Sequence, residues 1–479
     1  MLKIFLFRFG INKNKIRFAE NLATKKMKKI LHGILLMMTF GIMGQTKNDS
    51  VSSFQKMKEA IKLELKEELK AELKKDFIKE NKSLVDWSKF TLSGYGVVNY
   101  YHYGRYDTDL NIKDKFDAER LNLYLGYNFN DWISFKSEIE FEHGGTGSTI
   151  ELDTQEEFGE YEQEIESGGE VKIEQIHINF AIRPYLNVRV GRMKIHFGLA
   201  QDLDRPISYF TTHRQEMENE ILPLGWYENG VQIHGIFWKR LKYEVSITNG
   251  LDASGFSSRG WIKDGYQTRF EMANGNSLAF TGRLDYKFGK NKYTYVGMSA
   301  YLNDAAANRP KNDMSESAYV TILEGHITYD EDYLRFNSVI LWGNLENSNI
   351  VSRKNSSLSN NLGVKRTPVG KNTLGFSFEG GYEILHFINT TAKQKIYPFI
   401  RYDYYDTMHE VEGNVIRKPR WERSALMGGI NWFVHPQIVL KAHYQNRRLG
   451  SDNYDPVTSL YTGRKQEENT LSAGIGFSF

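Results

Sequence analysis

From residue 86 onward the chain alternates apolar and polar residues in segments of about ten, the period of a strand with one greasy and one wet face. In RLNLYLGYNF, Leu121, Leu123, Leu125, Tyr127 and Phe129 share one face, and Asn122, Tyr124, Gly126 and Asn128 the other. ISFKSEIEFE puts Ile133, Phe135, Ile139 and Phe141 opposite Lys136, Glu138, Glu140 and Glu142. VLKAHYQNR puts Leu440, Ala442 and Tyr444 opposite Lys441, His443, Gln445 and Arg447. Sixteen segments follow this rule: 90–103, 116–129, 133–142, 171–183, 186–197, 230–238, 242–249, 277–288, 293–302, 317–327, 333–342, 374–382, 396–405, 425–433, 438–446 and 470–479. Short connectors such as Asn130-Asp131 and Pro184-Tyr185 alternate with long polar loops. An even strand count with short turns at one end and long loops at the other predicts a 16-stranded antiparallel transmembrane β-barrel over 86–479.

A different period governs 46–85. Phe54, Met57, Ile61, Leu65, Leu69, Leu73 and Phe77 form a stripe among Lys and Glu, predicting an amphipathic helix over Ser50 to Lys82, roughly 45 to 50 Å long. Two readings fit it: one helix lying against the barrel base or the membrane, or a periplasmic coiled coil joining protomers, most simply three. Upstream, Met27-Lys28-Lys29, an apolar run over 30–43 and Gly44-Gln45 have the layout of a signal peptide, so residues 1–45 read as a leader whose true start is Met27.

Composition supports this picture. Mean hydropathy is −0.52, and past residue 45 no stretch approaches the ~20 apolar residues of a membrane-spanning helix. The 28 Tyr, 29 Phe and 8 Trp suit aromatic girdles at two membrane interfaces. With no cysteine, disulfides, thiolate metal sites and Cys nucleophiles are excluded. The leader holds nine of the 62 basic residues and one of the 59 acidic ones, leaving 53 against 58 and a mature charge of −5. The overall +3 is therefore no sign of nucleic-acid binding. Charged inward faces imply a hydrated lumen, since unpaired buried charges cost several kcal/mol each.

Two loops carry candidate chemistry. Gly144 to Glu174 is strongly acidic, read either as solvated surface, as a cation-attracting vestibule or as a divalent-ion brace. Gly198 to Tyr227 carries Ile207, Tyr209, Phe210, Ile221, Leu222, Leu224 and Trp226 among charges. Folded into the lumen it would bring Asp202, Asp204, Arg205, His213 and Arg214 to a constriction; otherwise it packs on other loops or another protomer. Inward Lys136, Glu138, Glu140, Lys441, His443 and Arg447 complete the candidate pore lining, with Arg192, Lys194 and His196 on one face of their strand opposite Met193, Ile195 and Phe197. No GxSxG, HExxH, Rossmann or P-loop fingerprint occurs, so neither an enzyme, a metal nor a cofactor is expected. His213 beside Glu216 and Glu218 reads as a solvated loop histidine.

The chain stops on Leu471-Ser472-Ala473-Gly474-Ile475-Gly476-Phe477-Ser478-Phe479, which resembles the closing strand of bacterial outer-membrane barrels. In that family the terminal aromatic, here Phe479, is the address read by the barrel assembly machinery. Val190-Gly191-Arg192-Met193-Lys194-Ile195-His196-Phe197-Gly198-Leu199 and Gly225-Trp226-Tyr227-Glu228-Asn229-Gly230 resemble segments of the phosphate-selective porin O and P family. That likeness implies a homotrimeric porin in the outer membrane of a Gram-negative bacterium, embedded among lipids and lipopolysaccharide, with an inward third loop and the helix in the periplasm. Those porins select anions with a ladder of lumen arginines, and no dense ladder is visible here. The reading is a passive channel for small hydrophilic solutes or ions, with anions and phosphate as the narrower option. The alternative is a structural or adhesive barrel whose stalk and loops bind partners.

Overall fold

The computed structural model describes Glu67 and residues 86–479 apart from 152–163, 268–271, 359–365, 389–392, 452–453, 456–459 and 462–464. The leader and the predicted helix over 46–85 lie outside the described residues, save Glu67.

Sixteen strands close on themselves. They are β1 (Phe90–Tyr106), β2 (Lys115–Asn128), β3 (Ile133–Glu151), β4 (Glu164–Arg183), β5 (Leu186–Lys194), β6 (Tyr227–Phe237), β7 (Leu241–Asn249) and β8 (Leu278–Lys287). The second half comprises β9 (Tyr295–Asp304), β10 (Tyr319–Glu331), β11 (Leu334–Leu345), β12 (Asn372–Tyr382), β13 (Lys395–Glu410), β14 (Glu422–His435), β15 (Ile438–Leu449) and β16 (Gln466–Ser478). Each pairs antiparallel with its sequence neighbours, and β16 pairs with β1, so no edge is left. All sixteen predicted segments are strands. A two-residue ladder, Tyr454–Asp455 with Leu460–Tyr461, sits in the last long loop.

Alternation is obeyed on the outer wall. Ile173, Ile233, Val245, Met298, Leu323, Ile340, Ile400, Leu426 and Leu471 are exposed around the whole circumference. At the short-turn end Trp132, Tyr185, Trp238, Phe288, Tyr333, Phe387 and Trp432 form an exposed aromatic ring. In water such a belt would be a continuous apolar surface far beyond what a soluble monomer shows. A belt of outward apolar residues bounded by aromatics is the exterior of a transmembrane barrel.

Two expectations are corrected. The acidic segment is not a loop from Gly144 to Glu174: β3 runs on to Glu151 and β4 begins at Glu164, so Glu151, Glu164, Glu166, Glu170 and Glu174 belong to a long hairpin whose tip lies outside the described residues. The strand read over 186–197 is also shorter than expected. β5 ends at Lys194 and the chain turns inward, so Met193, Ile195 and Phe197 are all at most 1 % exposed. Ile195 and Phe197 join an apolar core inside the barrel with Met217, Ile221, Trp226, Trp261, Val320 and Leu341. The lumen is thus partly filled with grease.

Closure is sealed by aromatic rings laid across glycines. Gly94 N–H donates to the Phe479 carbonyl and Phe479 N–H to that of Gly94, both at 2.9 Å. A Cβ on Gly94 would come within 2.8 Å of the Phe479 ring, and one on Gly96 within 2.4 Å of the Phe477 ring. Gly96→Val must push the Phe477 ring off the seam, an overpacking cost of about 1–3 kcal/mol. The expected result is a lower urea midpoint for the refolded barrel, followed by tryptophan fluorescence; an unchanged midpoint would show that the ring-over-glycine seam adds nothing.

Candidate functional site

The segment between β5 and β6 crosses the interior, and side chains of nearly every surrounding strand receive it. Gly198 opens it with φ +67° and no room for a side chain, because a Cβ would lie 1.6 Å from a Glu218 carboxylate oxygen. Glu218 stands in the short helix α1 (Glu216–Ile221) and accepts the N–H groups of Leu199 and Ala200, both at 2.9 Å. That knot ties the start of the loop to its end. Burial and the neighbouring Glu324 raise the Glu218 carboxyl to about 8, against the pull of those two N–H groups.

Asp204 is the anchor. Its carboxylate receives the Tyr95 hydroxyl at 2.8 Å, Arg120 at 2.9 Å, Arg214 at 3.1 Å and Lys194 at 3.2 Å. Burial opposes its charge, yet Lys194, Arg120 and Arg214 together hold the carboxyl well below the usual range. Glu140 lies 3.8 Å and Glu119 3.5 Å from Arg120, which share out the excess positive charge. Asp202 makes a second anchor, to His196 at 2.7 Å and Arg283 at 2.7 Å. Its burial is likewise outweighed, by Arg283 and then His196, so it too is held well below the usual range.

Further along, the Arg335 guanidinium donates to the Ile207 carbonyl at 3.2 Å. Phe210 stacks on Phe399 with centroids 5.2 Å apart. Lys441 donates to the carbonyls of Tyr209 at 2.7 Å and Thr211 at 2.8 Å. Arg401 reaches the Thr211 hydroxyl at 2.9 Å while paired to Asp403 and Glu379. Glu216 is gripped by Arg447 through two bonds of 2.7 Å and by the Tyr405 hydroxyl at 2.6 Å. Burial is overcome there by Arg447 above all, and Glu216 is lowered to about 2. The interior charges are therefore paired with the loop; the reading that only water could satisfy them is corrected for this part of the lumen.

The candidate residues fall into separate groups. Lys194, Asp204, Arg214 and Glu140 meet around Arg120. His196 binds Asp202. His213 faces His443 across 5.5 Å between ring centroids, so the solvated-histidine reading of His213 is corrected by its place between loop and wall. Lys136 and Arg205 share the Tyr124 ring, at 5.2 and 5.8 Å from its centroid, and neither has an ion pair among the described residues. Glu138 accepts from Asn122 at 3.0 Å and from the Tyr227 hydroxyl at 3.2 Å. Arg192 stands apart, donating to the Glu174 carbonyl and the Tyr266 hydroxyl.

Arg120, Arg283, Arg401 and Arg423 are inward arginines that the sequence reading passed over. Two of them had a legible signal: Arg283-Leu-Asp285 and Arg401-Tyr-Asp403 place a cation and an anion two residues apart, hence on one strand face.

Beside the loop the interior opens on one side and gathers cations on the other. Towards the long loops an open cavity of about 310 Å³ is lined by Arg259, Arg420, Arg423 and Arg447 with Glu220 and Glu468. Towards the short turns Lys136, Arg205, Arg189 and Lys242 share one stretch of wall with Glu244, which Lys242 reaches at 3.0 Å. Between loop and wall at mid-height the cavity is only about 30 Å³, bounded by Leu203, Tyr209, Arg214, Gln215, Glu379 and Arg401. Room of that size admits water or a small ion.

No protein-family model matches the chain. An uncharacterized protein of Aquifex aeolicus (strain VF5) is 26% identical over 356 residues, 74% of each chain. Among solved structures, an anion-selective porin from Comamonas acidovorans is similar at a TM-score of 0.47 and 10% identity, over 81% of this chain and 99% of that one. The outer membrane channel DcaP of Acinetobacter baumannii is similar at 0.47 and 11%, over 81% and 97%. OmpT of Vibrio cholerae lacking loop L8 is similar at 0.45 and 11%, over 81% and 99%.

Asp204→Asn would leave Lys194, Arg120 and Arg214 without their shared anion, and breaking a buried pair costs about 3–5 kcal/mol. Because the folded carboxyl titrates below its unfolded value, its stabilisation is complete above about pH 4 and fades as pH falls further. Urea unfolding of wild type and variant at neutral and acidic pH is expected to show a large gap at pH 7 that narrows below about pH 4. A gap that is absent, or constant with pH, would show that Asp204 is not the anchor.

Proposed function

We propose that this chain is an outer-membrane porin, a passive diffusion channel for small hydrophilic solutes with a preference for anions. The observation that carries the reading is the loop of 195–226 pinned inside a closed barrel, with an open arginine-rich cavity towards the long loops and a cluster of cations towards the short turns. A barrel that served only as a scaffold would have no use for a charged strap across a cation-rich interior. Physically, the fixed cations raise the local anion concentration, and the narrow gap beside the loop sets the size limit.

Lys136 and Arg205 are the residues best placed to favour anions, since neither charge is neutralised by an ion pair among the described residues and both are exposed over the Tyr124 ring. Arg189 and Lys242 extend that field. Lys194 and Arg192, candidates on sequence grounds, are occupied: Lys194 by Asp204 of the loop, and Arg192 by the Glu174 carbonyl and the Tyr266 hydroxyl. In the same reading the stalk of 46–85 stands in the periplasm and gathers three copies, and Phe479 serves assembly. Phosphate selectivity would demand a denser row of free cations than Lys136 and Arg205 supply.

The small size of the mid-height gap favours a second reading, a structural or adhesive barrel sealed by its own loop. Planar bilayers decide between them. Under a KCl gradient the purified protein is expected to give channels whose zero-current potential reports anion preference. In the double substitution Lys136→Glu, Arg205→Glu that potential moves towards cations by tens of millivolts, on the order set by reversing two fixed charges in a narrow pore. Absence of channels would establish the sealed barrel, and an unchanged potential would remove these two residues from the filter.

A further inference from the structure

Where the loop meets β13–β16 a buried imidazole, His443, faces a half-buried one, His213. His443 is 2 % exposed, and neither its Nδ1 nor its Nε2 finds a hydrogen-bonding group among the described residues. Nε2 of His213, on the loop face opposite, is equally orphaned, as are the Thr212 hydroxyl and both amide atoms of Asn431 nearby. The two rings lie 5.5 Å apart at 55°. A neutral imidazole needs one donor and one acceptor partner, and an imidazolium needs two acceptors. At His443 neither demand is met, and at His213 the Nε2 side is left without a partner.

Charged groups crowd the pair: Glu216 of the loop, Arg401 of β13, and Lys441 and Arg447 of β15 act on His213. Glu379 of β12 and Glu119 and Arg120 of β2 stand around Lys441, and Asp403 of β13 lies against Arg401. The acids among them are already engaged. Glu216 is held by Arg447 and Tyr405, Glu379 and Asp403 by Arg401, and Glu119 by Arg120 and the Asn99 amide. Lys441 has no carboxylate within ion-pair distance among the described residues and leans on the carbonyls of Tyr209 and Thr211. A proton arriving on the pair would meet Arg401, Arg447 and Lys441, while Glu216 is already held by Arg447.

We propose that His213 and His443 form an acid-operated latch: uncharged they let the loop lie against β13–β16, and charged they drive its 209–216 stretch off that wall and widen the mid-height gap. The gap is bounded by that same stretch, through Tyr209, Arg214 and Gln215, and by Arg401 behind it. Burial pushes the His213 imidazole down to about 4, with Arg401, Arg447 and Lys441 acting in the same direction against Glu216. A group whose folded value lies below its ordinary 6.5 binds protons better when released. The latch is therefore fully closed above about pH 6.5 and loses its grip as pH falls towards 4.

The test uses the full refolded chain in detergent and the double substitution His213→Gln, His443→Gln, with His213→Gln alone as a second variant should the double one fold poorly. Hydrogen exchange of the 209–216 amides, corrected for intrinsic rate, is measured at pH 7 and about pH 4.5. Wild type is expected to lose protection about tenfold, the equivalent of one pKa unit, while the variants change less than twofold. Equal loss in wild type and variants, or none in wild type, would overturn the latch. Conductance at the two pH values supplies a second reading that rests on the channel proposal: it should rise on acidification in wild type alone. Exchange needs no ion flow, so a silent bilayer would refute the channel and still leave the latch to be judged on protection.

Discussion

The interior depends on one exchange: charges on the barrel wall give up water and take the loop of 195–226 in its place. A closed ring of sixteen strands leaves more room than side chains can fill, and inward lysines, arginines and carboxylates cannot stay dry without partners. Asp202, Asp204 and Glu216 on the loop supply anions, and Arg283, Arg120, Lys194 and Arg447 on the wall supply cations. Where the wall carries backbone-seeking donors such as Arg335 and Lys441, the loop turns its carbonyls to them. Removing either partner would strand the other, which is why so polar an interface can fix one loop conformation.

The exchange is uneven around the circumference, and the unevenness has functional content. Engagement is dense on β1, β2 and β11–β15, whereas the wall of β3 to β7 near the short turns keeps cations that the loop does not neutralise. The loop thus leaves part of the ring, around Lys136 and Arg205, without ion pairs among the described residues. Tyr124 stands at the border, its ring shared by Lys136 from the wall and Arg205 from the loop. Cation–π contact holds both side chains in place while leaving their charge available, which an ion pair would not do.

Much of the barrel was legible because strand alternation is a local code. Every predicted segment became a strand, and the facing of Leu121, Leu125, Leu440 and Tyr444 against Asn122, Lys441 and His443 follows from period two alone. The code failed where the environment changes along a strand. Met193, Ile195 and Phe197 read as the strand face opposite Arg192 and Lys194, but an apolar side chain gives no hint whether the grease it meets is lipid or Trp226 and Trp261. The acidic hairpin failed for a related reason: glycines and acids interrupt the alternation while the backbone ladder of β3 and β4 continues.

The site was legible in its members and illegible in its pairings. Lys194, Asp204, Arg214, His213 and His443 can all be picked out as polar residues at inward or loop positions, yet nothing in the one-dimensional pattern joins Asp204 to Arg120, 84 residues away. Such pairs are set by how far each wall position stands from the loop in three dimensions, which depends on strand stagger around the whole ring. The R-x-D doublets of β8 and β13 do declare a pairing locally, and both use it to aim a guanidinium: Arg283 at the carbonyl of Gly198 and Arg401 at the Thr211 hydroxyl. A carboxylate two residues on fixes the arginine's direction before the loop arrives. The doublets thus act as preset receivers, and the loop's course is written on the wall as much as in its own residues.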